Sequence, residues 1–262
     1  MPKELISIPS FSMAKTGGSN FSDFNPEFER VVEIYNAWGS SECLAKEGNP
    51  RPISATSKNG IGESADGSIR SALNKNLRFG FVAGGLDDRG IFSPFYEGDQ
   101  IQYSPGLTGI VAPEQTREAL FQALHNRQCY ATTGERIILG FSIAGSTMGA
   151  ELSTKIKPGL AYNRHIAGYV AGTDTIATIE LIRNGTVIDT LKPKESHLEF
   201  TFDDSDPIAK VALKPPNGSP SDTPSFVYYY LRITQKDGNI AWSSPIWIDL
   251  TDALTPAKKK RK

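Results

Sequence analysis

The hydrophobic pattern of the chain changes near Arg136, and this change constrains the fold more than any other feature. Before it, strand-like segments alternate with segments of helical spacing, which is typical of parallel β-α units. After it, short strand-like segments follow one another across turns, which is typical of an antiparallel sandwich. We therefore predict an α/β fold followed by an all-β fold, with domains at residues 1–140 and 141–252 and a disordered basic tail at 253–262.

The first part is predicted to contain strands separated by two helices. β-Branched and aromatic residues favour the strands. The predicted strands lie at residues 5–8, 31–35, 77–83 and 107–111. One helix is predicted from a cap at Asp66 to about Lys75. The other begins near Pro113, where acidic residues suit the positive end of a helix, and ends near Arg127.

The second part carries a strong hairpin signal at Asn184-Gly185. This dipeptide favours the tight turn that joins two antiparallel strands, here residues 175–183 and 186–191. Further strands are predicted at 198–202, 227–234 and 240–248, and Asp237-Gly238 is predicted as another turn.

Composition limits the classes of partner. The formal net charge of −1 argues against attraction of the whole surface to nucleic acid or anionic lipid. No apolar run approaches the ~18 residues of a membrane-spanning helix, and residues 1–15 lack the apolar core of a secretory signal. We therefore expect a cytoplasmic protein without membrane contact. The tail Lys258–Lys262 could instead direct nuclear import or contact nucleic acid, but a solvated charge run is the favoured interpretation.

Four motifs of the chain resemble a single family. They are GLTGIVAPEQTREALFQAL with RQCYATTG between Gly106 and Gly134, VEIY with GSSE between Val32 and Glu42, RFGFVAGG from Arg78, and AWSSPIW from Ala241. They resemble a poorly characterised family of large hydrolase-like proteins related to PHP (polymerase and histidinol phosphatase) metal-dependent phosphoesterases. Because the chain matches only the later half of that pattern, the resemblance implies a partial PHP-like (βα) barrel and a C-terminal antiparallel β-sandwich-like domain.

The metal-ligand positions implied by the resemblance have lost their histidines. A His-His pair is expected after Pro9, where this chain has Ser10-Phe11. An Asp-x-His motif is expected after Gly85, where the chain reads Leu86-Asp87-Asp88 or, shifted by one residue, Asp87-Asp88-Arg89. A hydrolytic metal centre needs several imidazoles and carboxylates within ~2.0–2.2 Å of its ions. We therefore expect no metal centre and no cofactor on this chain.

The remaining polar residues near the predicted strand ends form a candidate pocket, because barrel enzymes place function at that face. Its members are Ser10, Glu42, Asp87, Asp88, Arg89, Glu114 and Arg117. Asp87 and Asp88 could hold a weakly bound divalent cation or equally form salt bridges with Arg89 and Arg78, but solvated residues of a glycine-rich turn are the favoured interpretation. Glu42 could equally face the pocket or cap the loop that follows it.

The resemblance and the lost ligands together predict a degenerate, non-catalytic relative of the phosphoesterases that acts as a binding or interaction module. The alternative is half of a metal-dependent hydrolase that a separately encoded chain or subunit completes. A partial barrel would leave a strand edge open. We therefore expect a homodimer or a complementary chain to cover this edge. The loop with Phe92, Phe95 and Tyr96 is expected to pack over the partial barrel or into a homodimer contact.

Overall fold

The computed structural model describes residues 5–15, 18–85 and 100–251 of the chain. Strands make up 38% of the structure and helices 13%. The strands are β1 (Val31–Asn36), β2 (Gly39–Ser40), β3 (Gly80–Ala83), β4 (Leu107–Ile110), β5 (Cys129–Thr132), β6 (Ile138–Ile143), β7 (Ser146–Thr147), β8 (Glu151–Ser153), β9 (Arg164–Ala171), β10 (Ile176–Arg183), β11 (Thr186–Leu191), β12 (His197–Asp204), β13 (Ser225–Gln235), β14 (Ile240–Ser243) and β15 (Ile246–Leu250). The α-helices are α1 (Ile69–Asn74), α2 (Arg117–His125) and α3 (Ile208–Val211).

The predicted α/β fold with a partial (βα) barrel is wrong, because the protein is mostly β with several sheets. β1 and β3 do pair in parallel, and α1 lies between them in the chain. The next two strands do not continue this arrangement. β4 and β5 pair antiparallel with each other, although α2 lies between them. A helix between two strands therefore indicated a parallel crossover where the chain instead makes an antiparallel pair.

A small sheet has the strand order β2-β1-β3. α1 starts at Ser68, whose side chain accepts a hydrogen bond from the Ser71 backbone N–H, and its apolar residues Ile69, Ala72 and Leu73 are buried. The observed cap is therefore Ser68, two residues after the predicted cap Asp66. Residues 5–8, predicted as a strand, belong to no strand, and the Ser7 N–H donates to the Phe28 carbonyl, before the start of β1.

A larger sheet has the path β11-β10-β13-β14-β5-β4, and β15 pairs with β13 and β8. It therefore includes strands on both sides of residue 140, the predicted domain boundary. That boundary stays a prediction. The hairpin of β10 and β11 turns at Asn184 and Gly185 as predicted, and both have positive φ angles, of 52° and 75°. Such angles are what a tight two-residue hairpin requires.

A four-stranded sheet of order β12-β9-β6-β7 faces the larger sheet. The core between them is mainly aliphatic with some aromatic side chains, and a buried ion pair lies beside Tyr229. The Arg164 side chain is fully buried and contacts Asp204 at 2.8 Å. Asp204 also accepts hydrogen bonds of 2.7 Å from the Tyr229 hydroxyl and from Arg183. Each buried charge in this group therefore has an opposite charge beside it.

β13 forms the wall between two hydrophobic cores. Val227, Tyr229, Leu231 and Ile233 pack in the core of the two facing sheets. Phe226, Tyr228 and Tyr230 alternate with them along the strand and pack in a second, aromatic core against α1 and the small sheet. Successive side chains of a strand point to opposite faces, so one strand can supply both cores.

None of the helices in residues 5–15, 18–85 and 100–251 has the length and apolar character to cross a membrane.

Candidate functional site

The structure does not bring the predicted pocket residues together. Ser10, Glu42, Glu114 and Arg117 are among the described residues and lie in three different environments. Asp87, Asp88 and Arg89 lie outside the described residues, as do Phe92, Phe95 and Tyr96.

Glu42 lies in the aromatic core, inside a network of hydrogen bonds. Tyr230 Oη donates to its Oε1 at 2.7 Å, and Trp242 Nε1 donates to its Oε2 at 2.9 Å. Arg232 Nη1 lies 3.0 Å from the same Oε2 and pairs in turn with Glu180 at 2.7 Å. Both carboxylate oxygens of Glu42 are thus engaged, so this residue links the loop after β2 to the larger sheet.

Glu114 and Arg117 lie on the surface at the start of α2. Thr116 caps this helix, because its side chain accepts a hydrogen bond from the Ala119 backbone N–H. The Thr116 hydroxyl also lies 3.1 Å from Glu114 Oε1, to which it donates. This arrangement begins a helix and does not form a pocket.

Ser10 instead contacts Glu33, which was not predicted as a site residue. The Ser10 hydroxyl donates a hydrogen bond to Glu33 Oε2. The backbone holds the two segments together, because the Glu33 N–H donates to the Pro9 carbonyl at 2.9 Å. Glu33 lies in the middle of β1, whose residues are all buried, and its own exposed fraction is 7%. A charged side chain in a buried strand is unusual. The sequence signal for Glu33 was therefore a glutamate within an otherwise apolar, strand-like run.

Glu33 lines a cavity of about 390 Å³ between the first segment, the ends of β3 and β4, and α2. The lining is mainly apolar. It consists of Ile8, Ser10, Glu33, Val82, Ala83, Gly84, Thr108, Ile110 and Leu124. The Thr108 hydroxyl is already engaged, since it accepts from the Ala83 N–H at 3.0 Å and donates to the Ala83 carbonyl at 2.9 Å. Of the described residues that line the cavity, Glu33 is the one with an ionisable side chain.

The surroundings of Glu33 favour its neutral form. Burial raises the pKa of Glu33, and hydrogen bonds from Ser10 and Asn36 offset that rise only in part. Among the described residues, no lysine, arginine or histidine forms an ion pair with it. Gly84 leaves room beside the carboxyl group, because a Cβ at that position would lie 3.0 Å from Glu33 Oε1.

The described residues do not fit the metal centre that the resemblance implies. Glu42 is committed to the core, and the partner of Ser10 is a single carboxylate. No group of three or more His, Cys, Asp or Glu side chains that could hold a metal ion occurs within the described ranges. The expectation that the protein binds no cofactor stays a prediction.

Comparisons with known proteins give relatives of longer length. The family described as "Protein of unknown function (DUF3604)" matches residues 88–165. An uncharacterized protein of Chlamydia trachomatis serovar D is 57% identical over 94% of this chain and 39% of its own length. An uncharacterized protein of Chlamydia muridarum is 56% identical over the same shares. The chain thus spans about two fifths of the length of these curated relatives.

Among solved structures, the fibronectin(III)-like modules of Clostridium thermocellum CbhA match 42% of this chain and 93% of their own, with 10% identity and a TM-score of 0.25. A likeness with this score carries no argument about function.

Proposed function

We propose that this chain is a non-catalytic binding module, a degenerate relative of the PHP phosphoesterases, and that it binds its ligand in the cavity beside Glu33. The cavity itself carries the proposal. It is concave and mainly apolar, and it has a polar pair, Ser10 and Glu33, on its wall. Its volume of about 390 Å³ falls in the range of about 300–1,000 Å³ that small-molecule sites occupy.

The position of Glu42 supports a role without catalysis. A carboxylate that ligated a metal would need a free oxygen directed at the ion. Both oxygens of Glu42 accept hydrogen bonds from core side chains, and Arg232 supplies the positive charge beside them. This glutamate therefore serves the fold and is not offered to a ligand.

The metal content and the hydrolytic activity of the purified protein test the proposal together. Protein purified without chelator should hold less than one equivalent of Zn, Mn or Fe by plasma mass spectrometry. It should not hydrolyse p-nitrophenyl phosphate faster after these ions are added. Two or more tightly held ions per chain, with hydrolysis that a chelator abolishes, would refute the proposal.

A second candidate is half of a metal-dependent hydrolase that another chain completes. The observation that favours it is the length of the relatives, of which this chain matches 39%. A separate chain, or a second copy, would then supply the missing ligands and cover the edge of the sheet. Phosphatase activity that appears only when this chain is mixed with the remaining part of such a relative would establish this candidate in place of the first.

A further inference from the structure

We infer that the cavity beside Glu33 binds a small organic amine in its protonated form, with the ammonium group on the Glu33 carboxylate and the apolar body against Ile8, Ile110 and Leu124. This inference names the ligand class of the proposed binding module and therefore rests on that proposed function.

Charge complementarity is the first argument for an ammonium group. An isolated carboxylate in an apolar environment is costly unless an opposite charge or hydrogen bonds compensate it. Glu33 is 7% exposed, and among the described residues its side-chain partners are the uncharged Ser10 and Asn36. The other buried carboxylates of the described residues are Glu42 and Asp204, and each has an arginine within hydrogen-bonding distance. Glu33 is thus the carboxylate whose counter-ion a ligand could provide.

The shape of the cavity is the second argument. Gly84 carries no side chain, so the approach to Glu33 Oε1 is not filled by a Cβ at that point. Ile8, Val82, Ile110 and Leu124 provide apolar surface on the remaining walls. A ligand with one charged end and a short apolar body satisfies both parts of this lining. A hydrated metal ion would leave the apolar walls in contact with water, and an anion would meet a like charge.

Three probes with the same apolar body and different head groups test the ligand class. They are hexylammonium, 1-hexanol and hexanoate, and the first is fully charged at pH 7.5, as a lysine side chain is. Binding is followed by calorimetry and by amide NMR shifts. Hexylammonium should bind at least tenfold more tightly than 1-hexanol, with shifts centred on Ser10, Gly84 and Thr108. Hexanoate should show no saturable binding.

Two pairs of variants connect the binding to Glu33. Glu33→Gln should reduce hexylammonium affinity at least tenfold and leave 1-hexanol affinity within twofold, whereas Glu118→Gln, on the exposed start of α2, should change neither. Gly84→Ala should weaken hexylammonium binding, because its methyl group would lie 3.0 Å from Glu33 Oε1. Gly85→Ala is the matched control, since no atom of the residues that the structure describes lies within 4 Å of a Cβ there. The glycine pair remains informative even if Glu33→Gln does not fold.

Several results would overturn the inference. They are the absence of binding by all three probes, equal or tighter binding of 1-hexanol or hexanoate, and hexylammonium binding that both Glu33→Gln and Gly84→Ala retain. Preference for an uncharged or anionic probe would reject the amine and leave a binding module in place. Metal-dependent phosphatase activity would instead reject the proposed function itself, so the two failures are distinguishable.

Discussion

The Tyr230 hydroxyl donates a 2.7 Å hydrogen bond to Glu42 Oε1, and this contact joins the larger sheet to the loop after β2. Arg232, two residues along the same strand, supplies the positive charge 3.0 Å from Glu42 Oε2. A single carboxylate is therefore held by two side chains that project from the same face of β13. The small sheet and the larger sheet are fixed to each other by polar contacts as well as by aromatic packing.

Glu42→Gln should destabilise the fold strongly. The substitution removes the negative charge beside Arg232 in a buried environment, which typically costs about 3–5 kcal/mol. The free energy of unfolding, measured by urea denaturation, should fall by an amount of this size. Glu180→Gln is a suitable comparison, because its side chain is 20% exposed against 1% for Glu42, and its effect should be smaller. Equal effects of the two variants would contradict a central role for Glu42.

Glu33→Gln should make the fold more stable at neutral pH. Burial raises the pKa of Glu33 in the folded state, so ionisation of this group opposes folding. The stability of the wild-type protein should therefore decrease as the pH rises through the folded-state pKa of Glu33, and the amide variant should lack this decrease. The described polar side chains that bond to Glu33, Ser10 and Asn36, do not titrate.

Urea denaturation of both proteins at several pH values measures this difference. The advantage of the glutamine variant should be largest near pH 7 and should disappear below the ordinary pKa of a glutamate. An advantage that grows on acidification would show that the ionised form of Glu33 is the one that stabilises the fold.

Asp204→Asn should lower stability at neutral pH and reduce the acid sensitivity of the protein. Burial alone would raise the pKa of Asp204, but hydrogen bonds from Arg164, Tyr229 and Arg183 outweigh this effect and lower it. The ionised group therefore contributes stability that is present above the unfolded-state pKa and is lost as the pH falls through the lowered, folded-state value.

Loss of this buried partner of Arg164 should cost about 3–5 kcal/mol at pH 7. Thermal unfolding followed by circular dichroism between pH 7 and pH 2 gives the profile. Asp203→Asn is the matched control, because the neighbouring side chain is 53% exposed. A wild-type profile that is no steeper than that of Asp204→Asn would refute the expected linkage.

Gly80→Ala should destabilise the contact between β3 and the larger sheet. A Cβ at this position would lie 2.8 Å from Ser244 Oγ and 2.9 Å from Arg127 Cβ. Crowding of this kind typically costs about 1–3 kcal/mol. Gly62→Ala provides the comparison, since no described atom lies within 4 Å of a Cβ there, and the urea midpoint of this variant should be nearly unchanged. If Gly80→Ala were as stable as the wild-type protein, the close contacts at this position would not limit its stability.

The features that could be predicted from the sequence are those that neighbouring residues decide. Asn184-Gly185 forms its turn where predicted, because the positive φ angles it needs suit these two residues. The strand at 31–35 is confirmed as β1, because a run of buried β-branched and aromatic residues has few alternatives. Both features depend on local conformational preference.

The features that could not be predicted depend on partners distant in the chain. The sequence of β4 does not indicate whether its neighbour is parallel or antiparallel, and the structure pairs it antiparallel with β5. Glu42 ends a strand-like motif, and its role depends on Tyr230, Arg232 and Trp242, about two hundred residues later. Glu33 lies within β1, whereas the barrel pattern predicts functional residues after the ends of strands.

Because β13 lies between two cores, the register of the strand matters more than the identity of any one of its residues. Val227, Tyr229 and Leu231 meet one set of neighbours, whereas Phe226, Tyr228 and Tyr230 meet another. A substitution disturbs one core and leaves the other. Deletion or insertion of a single residue would exchange the two sets, so that each side chain would face the core that now accommodates its neighbours. The alternation along β13 thus specifies the packing of two cores at once, and a shift of register by one residue would disrupt both.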